Sequence, residues 1–92
     1  MAEARREVTI VNQRGLHARA SAKFVGAVAE LPEGEQVSVI RSGSTAAGGS
    51  ILGLMMLGAA KGDTIEICCS GPDADATLAK LAALVEDGFG EP

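Results

Sequence analysis

Short runs with a two-residue apolar period alternate with longer runs of helical period along all 92 residues, and that alternation confines the chain to a layered fold of mixed strands and helices. Val8 and Ile10 alternate with Glu7 and Thr9, which predicts a first strand over 7–12. Asn12-Gln13-Arg14-Gly15 then reads as a loop. A helix over 18–31 follows, with Ala20, Phe24, Ala27, Val28 and Leu31 on one face and Arg19, Lys23, Gly26 and Glu30 on the other. Pro32-Glu33-Gly34-Glu35 stops it. Strands over 36–41 and 44–47 are joined by a hairpin turn at Ser42-Gly43. Ser50 caps a short helix over 51–57, a fourth strand runs over 64–69, and Gly71-Pro72-Asp73 opens a last helix over 74–87. Gly88 ends that helix and leaves 89–92 as a tail.

The order is strand, helix, two strands, helix, strand, helix. Each strand needs its apolar face covered, and three amphipathic helices are available. The economical arrangement is therefore one antiparallel sheet with all helices on one face. This pattern leaves the order of strands open, and a ferredoxin-like α+β fold fits it as well. The length suits one domain over 1–92 with a single core. Hydrophobic residues make up 47% of the chain but aromatics only 2%, so that core must be aliphatic.

Charge and patterning exclude several functions. A net charge of −4 with no basic run and almost no aromatics argues against nucleic acid. The apolar run from Ile51 to Ala60 is interrupted by Gly53 and Gly58 and is far shorter than the roughly 20 residues that span a bilayer. No apolar segment of signal-peptide type precedes residue 7, so a cytoplasmic location is expected. Cys68 and Cys69 are neighbours, with Cα atoms about 3.8 Å apart, too close for an ordinary disulfide. They read as reduced thiols in a strand, Cys69 the more buried, and neither a metal site nor a cofactor is expected. Nothing in the pattern calls for an obligate dimer.

The stretch that carries chemistry is Gly15-Leu16-His17-Ala18-Arg19. It holds the one histidine, placed where strand gives way to helix. Backbone N–H groups of Ala18 and Arg19 in the first helical turn have no intrahelical partner, so an anion on His17 would meet donors and the positive end of the helix dipole. The same dipole disfavours positive charge on the ring, leaving a ring nitrogen as nucleophile. Arg19 can pair with phosphate oxygens in a fork.

Gly-Leu-His-Ala-Arg at 15–19, followed by Ala20-Ser21-Ala22-Lys23-Phe24-Val25, resembles the active-site segment of HPr, the histidine-containing phosphocarrier family of the phosphoenolpyruvate-dependent phosphotransferase system. Ser50-Ile51-Leu52-Gly53-Leu54-Met55-Met56-Leu57, Ala60-Lys61-Gly62-Asp63 and Ser70-Gly71-Pro72 are similar to that family's second segment. One departure stands out: the family usually has proline after the arginine, and this chain has Ala20. Alanine keeps an N–H that proline lacks and is itself an excellent helix former.

The resemblance implies an open-faced β-sandwich, four antiparallel strands with three helices on one face. It also implies a phosphoryl carrier rather than a stand-alone catalyst. His17 would become a phosphohistidine, charged by an enzyme I type donor and discharged to EIIA-type acceptors. Ser50 would be a regulatory site for an HPr kinase/phosphorylase. Ile51, Leu52 and Met55 give the short helix more apolar surface than it can bury beneath itself, and with the His17 loop and the first helix they would form a docking face. Leu54-Met55-Met56-Leu57, Gly71-Pro72 and Gly88-Phe89 look more like the nitrogen-related branch than the sugar-transport branch. Two rivals remain at this point: an acylphosphatase-like hydrolase, for which Arg14 and Asn12 are present but outside that family's motif, and a ferredoxin-like module for a small ligand or metal.

Overall fold

The computed structural model describes residues 2–91. Four strands, β1 (Ala2–Thr9), β2 (Gln36–Arg41), β3 (Ser44–Ala47) and β4 (Thr64–Gly71), form one sheet. Three helices, α1 (Ala18–Ala29), α2 (Ile51–Met56) and α3 (Ala74–Glu86), supply the second layer, and a 3-10 turn at Gly88–Gly90 follows α3. The strand order is β1-β4-β2-β3, with every pairing antiparallel. A split β-α-β arrangement would set β3 between β1 and β2. Here β4 lies there, and the ferredoxin-like alternative falls.

The helix-facing side of the sheet is read across one row. Val39 on β2 pairs with Ile67 on β4 and with Ala46 on β3, and all three are buried. Ile65 and Cys69 continue the same parity along β4, as period-two alternation requires. Phe24 of α1, Leu54 of α2 and Leu78, Leu81 and Val85 of α3 close over them. The hairpin between β2 and β3 turns through Ser42 and Gly43, both with positive φ, the twist-matched form for a two-residue loop.

Two boundaries differ from the sequence reading. The first strand begins at Ala2 rather than residue 7, and residues 10–12 have already left it. Its helix-facing positions before Val8 are Ala4, a small residue packed half-buried against the core, and Arg6, which is not apolar at all; Arg6, opposite Ile67, reaches Glu86 of α3 at 2.9 Å instead. Backbone pairing with β4 sets the strand, and an edge strand tolerates such inward charge. The second difference is the tail. Phe89 is 1% exposed and belongs to the core, so residues 88–91 are packed structure; Pro92 lies outside the described residues. Smaller shifts are the ends of α1 at Ala29, α2 at Met56 and α3 at Glu86, and β4 extends to Gly71. At the last turns of α1, Ala27, Val28 and Leu31 are half-buried rather than core.

Candidate functional site

The loop between β1 and α1 is built on Asn12 and Gly15. Asn12 is 3% exposed, and its Nδ2 donates to the carbonyl of Gly15 at 2.8 Å, closing the loop on itself. Gly15 has φ +63, and a side chain there would drive into the backbone of Ala59 and Ala60. Leu16, buried in the core, donates its N–H to the Ala59 carbonyl at 3.0 Å. These contacts deliver His17 to the N-cap position of α1, with extended backbone (φ −74, ψ 179). A histidine cap is unusual, because Ser, Thr, Asp and Asn do that work best.

Both ring nitrogens of His17 are engaged. Nδ1 accepts the N–H of Arg19 at 3.3 Å, the cap bond itself. Nε2 lies 2.7 Å from Oε2 of Glu91. An accepting Nδ1 carries no hydrogen, so the proton of the neutral ring sits on Nε2 and points at the carboxylate. The unprotonated lone pair, the nucleophilic one, is on Nδ1 beside the first turn of α1. The N–H of Ala18 has no acceptor among the described residues.

The ring opens into a pocket of about 220 Å³ lined by Gln13, Arg14, His17, Arg19 and Glu91. Neither Arg14 nor Arg19 pairs with a carboxylate among the described residues, so two guanidinium groups face the space beside the ring. Glu91 is held from behind: Asn12 Nδ2 donates to its Oε1 at 3.1 Å, and Lys23 Nζ donates to the Phe89 carbonyl at 2.6 Å. Loss of solvent pushes the Glu91 carboxyl up, but the Asn12 amide, the His17 hydrogen bond and the charges of His17 and Lys23 together hold it below its ordinary value.

The sequence reading placed His17, Ala18 and Arg19 together, and the fold keeps them so. It did not anticipate Glu91, which lies 74 residues away, nor Arg14 as a wall of the pocket. No period or motif marks Glu91, since only the fold of residues 87–90 brings it back. Ser50, Ile51, Leu52 and Met55 lie apart from the pocket, on α2, which packs against α1. Ser50 caps α2, its Oγ accepting from Gly53 N–H at 3.0 Å. Ile51, Leu52 and Met55 are exposed at 41%, 67% and 39%, and Met56, absent from the expected face, exceeds them at 77%. Ala20, where the usual proline would stand, is completely buried in the first turn of α1. Among the described residues no three His, Cys, Asp or Glu side chains gather into a metal site. Cys68 is half-buried on the open sheet face; burial pushes the Cys69 thiol up to about 11, with Cys68 and Glu35 adding to the shift.

Residues 4–87 match the family model described as the PTS HPr component phosphorylation site. The chain belongs to the HPr family of phosphotransferase-system phosphocarriers. It is 38% identical to phosphocarrier protein NPr of Shewanella violacea, over 99% of this chain and 98% of that one. It is 42% identical to phosphocarrier protein HPr of Pseudomonas aeruginosa, over 92% and 93%. The crystal structure of an HPr from Bacillus anthracis superposes with a TM-score of 0.84 at 32% identity, covering 92% of this chain and 99% of that one. The hydrolase alternative finds no support beside this HPr likeness, and β4 sits where its β3 would have to be.

Proposed function

We propose that this HPr-family chain carries its phosphoryl group on Nδ1 of His17, taking it from an enzyme I type protein charged by phosphoenolpyruvate and passing it to a histidine of EIIA-type acceptors. The observation that supports this reading is the ring's hydrogen bonding: Nε2 faces Glu91, and Nδ1 faces the helix start and the pocket shared with Arg14 and Arg19. As the lone pair of Nδ1 bonds to phosphorus, the Arg19 N–H it had engaged becomes a donor to a phosphoryl oxygen. The two guanidinium groups neutralise the remaining charge in the pocket.

The helix dipole adds only about 0.3–1 kcal/mol, too little to drive transfer. Phosphoryl transfer depends on alignment and charge neutralisation, and a carrier leaves much of both to its partners. The chain acts as a substrate of other enzymes. Its carrying work takes place in the cytoplasm; no helix of the described residues is long and apolar enough to cross a membrane.

Two further roles belong to the same reading. Ile51, Leu52, Met55 and Met56 form an apolar docking face, supported by their exposure on a six-residue helix. Ser50 receives a regulatory phosphate from an ATP-dependent HPr kinase, which places about −1.5 to −2 charges at the edge of that face. The test of the central claim is labelling. Incubated with phosphoenolpyruvate and enzyme I, the protein should gain acid-labile, base-stable phosphate, and His17→Ala should remove it. Label that survives this substitution defeats the assignment.

A further inference from the structure

Glu91 stands five residues beyond the end of α3. It is held there by three separate devices. Gly88, Phe89 and Gly90 all take left-handed backbone, with φ of +66, +57 and +71. Phe89 is a bulky residue in that region, a conformation that persists only where the surroundings over-determine it, and its ring buried in the core does so. Lys23 on α1 binds the Phe89 carbonyl, and buried Asn12 binds Glu91 Oε1. What these devices present is Oε2, 2.7 Å from His17 Nε2, on a side chain only 12% exposed.

Resting on His17 as the phosphoryl acceptor, we propose that Glu91 is a positioning residue that keeps Nε2 protonated while Nδ1 carries the phosphoryl group. In the loading step the Nδ1 lone pair attacks phosphorus, and the bond from phosphorus to the donor protein breaks with its electron pair going to the donor. The ring now bears phosphorus on Nδ1 and hydrogen on Nε2, with a formal positive charge that the Glu91 carboxylate faces. In the unloading step an acceptor nitrogen forms the new bond to phosphorus. The Nδ1–P bond breaks, its pair returns to Nδ1, and the ring departs as neutral imidazole with Nε2–H intact. No proton moves on His17 in either direction. Without that proton the leaving group would be imidazolate, a far poorer one.

The other charges facing the ring are Arg14 on the loop and Arg19 on α1, with Lys23 behind Glu91. All three are cationic, so among the described residues Glu91 is the one carboxylate lining the pocket that can balance a positive ring. Arg14 and Arg19 serve the phosphoryl oxygens, and Lys23 serves the backbone that aims Glu91.

The full chain is charged with phosphoenolpyruvate and enzyme I, and return of its phosphoryl group to enzyme I in the presence of pyruvate is measured against pH. Glu91→Gln keeps the shape and an accepting oxygen but removes the charge. It should take label at His17, and its transfer should fade at a lower pH than the parent's, since the carboxylate that favours the positively charged ring is gone. Glu91→Asp should restore part of the difference, and Glu86→Gln, an equal charge change on exposed α3 surface, should follow the parent. A labelled Glu91→Gln protein whose profile coincides with the parent's overturns the proposal and leaves His17 as acceptor. A parent that takes no label at His17 overturns the reading beneath it instead.

Discussion

His17 does two jobs with one ring. As N-cap it satisfies an orphan N–H of α1 through Nδ1, and that bond also selects which nitrogen remains nucleophilic. A serine in its place would cap the helix better but could not form a phosphoramidate. Ser50 shows the ordinary solution on α2, where a hydroxyl caps Gly53. That bond is worth about 1 kcal/mol, and a phosphate on Ser50 would replace it with charge-assisted contacts to the same helix end. Incubation with ATP and an HPr kinase should therefore yield a phosphopeptide at Ser50; an unmodified peptide under conditions that modify another HPr would remove the regulatory claim. Asn12 repays comparison with both, because one amide group binds Gly15 and Glu91 and so ties the loop before the histidine to the residue behind it. Its Oδ1 is buried and has no partner among the described residues.

Among the elements, α2 and the terminal 3-10 turn carry more than their length suggests. The six residues of α2, with Leu54 and the capping Leu57 turned into the core, leave Ile51, Leu52, Met55 and Met56 in solvent. Met55→Asp should leave the fold intact, because that side chain is 39% exposed, while slowing both loading from enzyme I and unloading to an acceptor. Unchanged rates in both steps would exclude α2 from docking. The terminal turn is anchored by Phe89, one of two phenylalanines in the chain, each 1% exposed. Phe89→Ala should lower stability by about 3–5 kcal/mol in urea unfolding and release Glu91 from His17. A loss below about 1 kcal/mol would mean that the turn does not depend on this ring. At the start of α3, Asp73 makes no side-chain cap of its own. Glu35 substitutes from across the chain, accepting from Asp73 N–H at 2.9 Å and from Thr77 Oγ1 at 2.8 Å.

Across the whole molecule, acid should act on two carboxylates that stitch distant segments together. Asp63 accepts the Ala60 N–H and pairs with Arg41 of β2, each at 2.9 Å. The Ala60 bond lowers its pKa below the ordinary 3.8, partial desolvation opposes this, and Arg41 lowers it further. Glu91 is likewise held below its ordinary 4.5. A carboxylate depressed in the folded state contributes its full stability above its unfolded pKa and loses it as pH falls through the folded value. Stability should therefore be level above about pH 5 and fall below about pH 4. Asp63→Asn should flatten part of that fall when thermal midpoints are compared between pH 6 and pH 3. An equal slope in parent and variant would show that Asp63 does not contribute to it.

Much of this was legible along the chain. The apolar periods of Val37 and Val39, of Ile65 to Cys69 and of Leu78 to Val85 determine strands, helices and their buried faces, because burial of a face is a local demand that each segment states for itself. Gly15-Leu16-His17-Ala18-Arg19 determines the junction, because a cap and its first turn are contiguous. The strand order was decided only in three dimensions, since β4 enters between β1 and β2 by pairing that no single strand encodes. So was the strand at Ala2–Arg6, whose backbone bonds to β4 outweigh an alternation that rests on two alanines and breaks at Arg6. Glu91 joins the site for the same reason: a core ring and three left-handed residues return it to His17, and the distance that matters is 2.7 Å through space rather than 74 residues along the chain.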